Sequence, residues 1–541
     1  MTTIRRIYAY LLAFAGLGMF AVASANLGQL VMNLLLHAPI ADGDAYVRET
    51  VSINAAAALV GLPVWLLHWR WTERWAHENP PERASTLRRL YLYGVLAAAL
   101  ALLAGSVYET VSEAVLLLTS QGHVVAVLVQ LPFIAVASAV WIGHWRVAAR
   151  DRGLVGEQGG SATLRRWYIY GAAFVGFVML LTGASGLLEI LWHVVTTPGG
   201  QFQAANALAS LVVGLGLWLA HWSVLPRQAG ETAQRDDGVS VLRSVYLFLG
   251  LSVAVAGTLF GLSQLLYYAV ARLLGVSSPA GVGGDLIQAA AGPASIAIVY
   301  GAAWAYQRYA LRHQAASFDE APPQAGVRRL YTYIVALIAL TTLAVGAAGM
   351  LWTAGDLLVN AGTATGGDGW RNNVALFATL AVVGLPVWLL HWRPVPTDED
   401  DVRSLARRLY VYLALIGAML SLVGSGAAAV YRVISLLLGA GVADSSTTSV
   451  LTDLTRALAV ALVAAVVAVY HWRVLRSDAR GSTEVTSVAV APHAEAILTP
   501  VAVAPHAEAE LTVLIRAATR AELDQAIASL RSRGLEVAVL P

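Results

Sequence analysis

Long apolar runs alternate along this chain with short segments rich in arginine and aromatic residues. Twelve runs are read, at about 8–36, 51–69, 92–118, 124–145, 168–195, 204–222, 246–274, 284–306, 331–360, 373–392, 410–439 and 451–472. A helix of about 20 apolar residues crosses a hydrocarbon core of roughly 30 Å. The runs are continuous rather than alternating, which favours helices over the ~10-residue strands of a membrane barrel. The pattern predicts an all-α integral membrane protein of about 12 transmembrane helices in contact with the lipid bilayer.

Arginine placement adds orientation. All 35 basic residues are arginine, and 26 of them fall in segments on one side, from Arg5 and Arg6 to Arg473, Arg476 and Arg480. The positive-inside rule makes that side cytoplasmic, so both termini are expected in the cytoplasm of a bacterial inner membrane. Arg5-Arg6, the apolar stretch after it and Ala23-Ser24-Ala25 also have the shape of a signal peptide. The same opening recurs within the chain, where cleavage has no meaning, so it is read as a membrane helix.

The recurrence is the strongest signal. A basic-aromatic motif opens six helices, at Arg5 to Tyr10, Arg88 to Tyr93, Arg165 to Tyr170, Arg243 to Phe248, Arg328 to Tyr333 and Arg407 to Tyr412. Each helix is followed by an outer loop and a second helix that closes on W-x-x-H-W-R or a variant of it. The closing residues are Trp65, His68, Trp69; Trp141, His144, Trp145; Trp218, His221, Trp222; Trp388, His391, Trp392; and His471, Trp472. The fourth copy departs, with Trp304, Gln307 and Arg308. The decapeptide GLPVWLLHWR stands identically at 61–70 and 384–393. Six hairpins thus group into three tandem, parallel four-helix repeats, 1–155, 156–318 and 319–476, followed by a linker at 477–509 and a module at 510–541. Parallel repeats are less usual than inverted ones in secondary transporters, which weighs against a transporter without removing it.

The opening motifs, four-helix units and H-W-R closings, in an arginine-rich chain without cysteine, resemble the membrane family DUF5671, a domain of unknown function, over about residues 1–476. The resemblance implies a polytopic membrane domain and no transferable activity.

Two polar layers carry the candidate chemistry. His68, His144, His221, His391 and His471 occupy equivalent cytoplasmic ends. They are read first as interfacial anchors beside Trp, Tyr and Arg, and second as weak haem or metal ligands. The second layer lies inside the opening helices of the hairpins, in the outer third of the membrane. Counted from the last aromatic of the opening motif, position 16 holds Asn26, Glu109 and Gln264. Positions 19–20 hold Gln29, Glu113, Glu189, Tyr267, Tyr268, Trp352 and Arg432, and position 23 holds Asn33, His193 and Asp356. These offsets share one helix face. Ionisable groups in a membrane cost about 2.5–3.5 kcal/mol at its centre, so they should face one another or a wet cavity. Glu113 and Arg432 are equivalent in hairpins two and six and form a candidate ion pair if three units surround an axis. The layer is a candidate solute or proton path, or else a set of structural contacts between helices. Paired glycines such as Gly183 and Gly186 are read as helix-packing positions.

The tail changes character. Residues 488–496 repeat perfectly at 501–509, as an extended linker would. Residues 511–541 have a strand–helix–strand pattern, with Thr519 and Glu522 as a capping box, predicting a small cytoplasmic α/β (βαβ) module. Too small to bury a core alone, it is expected to self-associate or dock on a protein partner.

Composition then narrows the function. The chain of 541 residues is 58% hydrophobic and 13% charged, with no cysteine, which excludes thiolate metal sites and cysteine nucleophiles. The absence of lysine excludes Schiff-base chemistry, and a net charge of +2 offers nothing to nucleic acid. No cofactor and no catalytic residue is expected. The leading expectation is a non-enzymatic membrane scaffold or accessory subunit. A channel or transporter follows, and then a haem- or metal-binding electron carrier.

Overall fold

The computed structural model describes residues 3–38, 43–156, 159–197, 203–224, 237, 240–279, 285–317, 322–360, 369–392, 404–437 and 447–488. Twelve helices are long and apolar enough to cross a membrane. They are α1 (Thr3–Leu35), α2 (Gly43–Glu78), α3 (Thr86–Leu118), α4 (Leu131–Val155), α5 (Gly160–Thr196) and α6 (Ala205–Leu219). The remainder are α7 (Val241–Leu273), α8 (Ala291–Ser317), α9 (Pro322–Val359), α10 (Gly369–His391), α11 (Leu405–Leu437) and α12 (Thr447–Val488). No strand occurs among the described residues, and the βαβ module at 510–541 and all but the first residue of the duplicated nonapeptides lie outside them. Helix α12 runs past the change of composition near residue 477.

Helices dominate because lipid offers no partner to a free N–H or C=O, and only intrahelical bonds satisfy every group. Local signals place the ends. The Ser85 hydroxyl caps α3 by accepting from the Arg88 N–H at 3.3 Å, and a proline stands in the first turn of α4. Pro63 and Pro386 stand at matching places inside α2 and α10. Helix α6 ends in a π-helical turn, Ala220–Val224, that carries His221 and Trp222.

The six hairpins stack in a row. Each odd helix from α1 to α7 packs on its own even partner, on the next odd helix and on the next even helix. The close approach within hairpins needs glycine. A Cβ on Gly61 would stand 2.8 Å from both the Gly16 carbonyl oxygen and the Phe20 nitrogen, and one on Gly16 would stand 2.7 Å from the Trp65 nitrogen.

The core gathers at the arginine-rich end. Tyr10, Tyr91, Tyr93, Tyr168, Tyr170 and Tyr246, all from opening motifs, form one buried cluster across four hairpins. Tyr333, Tyr410 and Trp392 anchor a second. Tyr8 and Tyr412 are exposed, but most of the others point between hairpins rather than outward. Helix rotation decides this, and each ring found more apolar contact against a neighbouring hairpin than against solvent.

Candidate functional site

The closing histidines sit in a repeated hydrogen-bond relay. In all five, Nδ1 lies 2.7–2.9 Å from the carbonyl oxygen four residues earlier. A carbonyl only accepts, so Nδ1 carries the proton and Nε2 of the neutral ring is an acceptor. That acceptor meets the first tyrosine of the same hairpin's opening motif in three hairpins: Tyr91 with His144 at 3.3 Å, Tyr168 with His221 at 3.1 Å and Tyr410 with His471 at 3.1 Å. Tyr168 and Tyr410 in turn accept from the preceding hairpin, as does Tyr246 of the fourth. The Trp141 indole N–H reaches Tyr168 at 2.7 Å, Trp218 reaches Tyr246 at 3.0 Å and Trp388 reaches Tyr410 at 3.0 Å. Where the motif departs, Gln307 takes the buried histidine position. In the first and fifth hairpins, His68 and His391 instead meet the edges of Tyr8 and Tyr331.

This relay bears on the haem and metal expectation at three of the five histidines. Both ring nitrogens of His144, His221 and His471 are engaged, so a ligated iron would first have to displace a tyrosine hydroxyl. Among the described residues, no group of three or more His, Asp or Glu is placed to hold a metal ion. The same three histidines, and His68, are buried.

Beneath the relay lies a layer of ion pairs that the sequence reading missed. Arg88 is fully buried, with Nε 2.7 Å from Asp151 and Nη2 2.5 Å from Glu73. Arg150 joins the same two carboxylates at 3.4 and 2.8 Å. Arg165 and Arg166 both hold Asp237 at 2.7 Å. Arg407 holds Asp478 at 2.9 Å, and Glu82 accepts from Arg6 at 3.0 Å and from Tyr10 at 3.1 Å. These arginines are spent on carboxylates, not on anionic lipid. One signal was available: Asp151 and Asp478 each stand seven residues after the closing histidine, in HWRVAARD and HWRVLRSD. The partner of Arg165 lies 72 residues away, in a segment with no such pattern.

The outer polar layer resolves into local pairs. Asn26 donates to Asn54 of its own hairpin at 2.9 Å. His193 meets Gln288 at 2.7 Å and lies 4.0 Å from Glu189. The Glu189 carboxylate stands over Gly292 in the first turn of α8, where unpaired helical N–H groups favour negative charge. Asp356 accepts from Trp352 at 2.7 Å and from Arg456 of α12 at 2.9 Å. Arg432 pairs with Asp453 at 2.5 Å, 21 residues on within its own hairpin. The expected Glu113–Arg432 pair is therefore absent among the described residues, because adjacent helices supply the counter-charge. Glu109 is exposed, Glu113 and Gln264 are half-buried, and none of the three has a hydrogen bond or ion pair there.

Comparison with known proteins adds one finding. The family described as domain of unknown function DUF5671 matches residues 6–130, 111–201, 166–302 and 329–451, a repeated match that shows tandem internal repeats. No curated protein and no solved structure matches the chain.

Proposed function

The chain belongs to the DUF5671 family, and from that footing we propose that it is a non-enzymatic scaffold or accessory subunit of the bacterial inner membrane, presenting residues 510–541 to a protein partner in the cytoplasm. One observation carries the reading: charged groups at both ends of the helices are committed to ion pairs across the fold, Arg88 to Asp151, Arg165 to Asp237, Arg407 to Asp478 and Arg456 to Asp356. A row locked this way is suited to holding shape. Catalysis needs groups left ready to react, and the relay engages both ring nitrogens of His144, His221 and His471.

We further read the row as three parallel four-helix units. Three of the four family matches begin inside the opening motifs of hairpins one, three and five, at residues 6, 166 and 329. The interfaces within these units share a contact, an arginine of the even hairpin over the second tryptophan of the odd one. The pairs are Arg88 with Trp69, Arg243 with Trp222 and Arg407 with Trp392, at 5.5, 4.8 and 5.0 Å. Both termini face the cytoplasm in this reading, which the arginine distribution supports.

Native mass spectrometry of the full chain, gently extracted from its own membrane, tests the scaffold. A retained protein partner or self-assembly, lost on deleting 510–541, is expected. A bare monomer unaffected by the deletion overturns it. A second reading, a channel or transporter, is favoured by the unpaired Glu109 and Glu113, since intramembrane acids usually have a task. Solute or proton flux in vesicles that falls in Glu109→Gln and Glu113→Gln would place the function there instead.

A further inference from the structure

The three odd-to-even interfaces ought to be alike, and two of them are. In the third hairpin, the Trp222 indole N–H donates to the Tyr306 hydroxyl at 2.7 Å, and the Tyr306 ring lies edge-on to Trp218 at 5.5 Å. In the fifth, Trp392 donates to Tyr470 at 2.7 Å, and the Tyr470 ring lies edge-on to Trp388 at 5.7 Å. Both tyrosines immediately precede the residue at the closing-histidine position, Gln307 and His471. A phenol ring is thus held between the two tryptophans of the preceding hairpin.

The first interface lacks that ring. The residue before His144 is Gly143, and between it and the tryptophan pair Trp65 and Trp69 lies a cavity of about 460 Å³. A Cβ on Gly143 would meet nothing within 4 Å. Trp69, the counterpart of Trp222 and Trp392, has found no substitute: its N–H makes no hydrogen bond among the described residues. The remaining walls are mostly apolar, with Leu17, Phe20 and Val140 among them, and the two polar residues, Ser24 and His144, are already hydrogen-bonded, to the Phe20 carbonyl and to Val140 and Tyr91. Ala139 and Gly143 are exposed, so the cavity opens sideways on the surface that a bilayer covers. Its volume falls within the range of roughly 300–1,000 Å³ usual for small-molecule sites.

We propose that this cavity between hairpins one and two binds a membrane-soluble six-membered ring bearing an acceptor oxygen, a phenol or a quinone, in the place that Tyr306 and Tyr470 occupy in the other two units. The polar group left without its counterpart's partner is the Trp69 N–H donor, which selects an acceptor. The flat apolar walls and the flanking indoles select a ring. The volume exceeds a bare phenol, so ring substituents are accommodated. The inference does not depend on the scaffold reading, because it rests on the geometry of one interface against its two counterparts.

The test is ¹⁹F NMR of 4-fluorophenol with the full chain in detergent micelles. Saturable broadening is expected with the wild type and lost in Gly143→Tyr, which supplies the missing ring itself. A weaker signal from 4-fluorotoluene, by about three- to tenfold, is expected for loss of one hydrogen bond. Trp69→Phe should abolish that preference while leaving toluene binding unchanged, and this arm stands if Gly143→Tyr does not fold. Displacement of the fluorophenol by a methylated benzoquinone assigns the quinone as the class bound. Saturable binding that resists it assigns the phenol. No saturable binding to the wild type, or equal binding in Gly143→Tyr and no phenol preference, overturns the proposal.

Discussion

Asp151 and Arg88 both have 0% side-chain exposure and meet at 2.7 Å, across 63 residues of sequence. Replacing Asp151 by Asn keeps the shape and removes the charge. Breaking a buried pair from one side costs about 3–5 kcal/mol, because the remaining ion stays desolvated. Arg88 keeps a second carboxylate, Glu73, at 2.5 Å, which places the expected loss near the lower end, about 3 kcal/mol. Arg88→Met with Asp151→Leu should cost less than Asp151→Asn alone. Both charges then leave together, and Arg150 still serves Glu73 at 2.8 Å. Asp453→Asn is the control: Asp453 is 40% exposed, and its partners Arg432 and Arg456 are 32% and 41% exposed. Such pairs contribute about 0–1 kcal/mol. The assay is reversible unfolding in mixed micelles, followed by helical circular dichroism. A loss in Asp151→Asn below about 1 kcal/mol, or equal to that of Asp453→Asn, would refute the view that buried charge pairs lock the hairpins.

Two further outcomes can be read in the same assay. Tyr168→Phe removes the oxygen that accepts from Trp141 and meets His221. It should cost about 1–3 kcal/mol for each group left unpaired, whereas Tyr412→Phe, at an exposed ring, should be near neutral. Gly61→Ala drives a methyl against the backbone of Gly16 and Phe20 and should cost about 1–3 kcal/mol. Gly105→Ala, with nothing within 4 Å of its Cβ, should change stability by no more than about 1 kcal/mol.

What this chain determines by itself is its relation to lipid. A hydrocarbon core of roughly 30 Å asks for a length of apolar helix, and the runs at 8–36 and 51–69 answer it without knowledge of any neighbour. Repetition is equally local, since GLPVWLLHWR at 61–70 and 384–393 is visible as text. The choice of partner is another matter. Arg88 faces Asp151 rather than a lipid headgroup, and Arg432 faces Asp453 rather than Glu113. Nothing in the residue types distinguishes these outcomes. They depend on how each helix is rotated about its axis and which hairpin lies beside it, and those are settled jointly by close contacts such as Gly16 against Gly61. The cavity is the extreme case. Gly143 before His144 reads as one more small residue in an apolar run. Only the packed row places it opposite Trp65 and Trp69, where two other hairpins put a tyrosine. Burial in lipid is a property of a segment, whereas a site is a property of surfaces brought together, and tertiary packing alone brought these together.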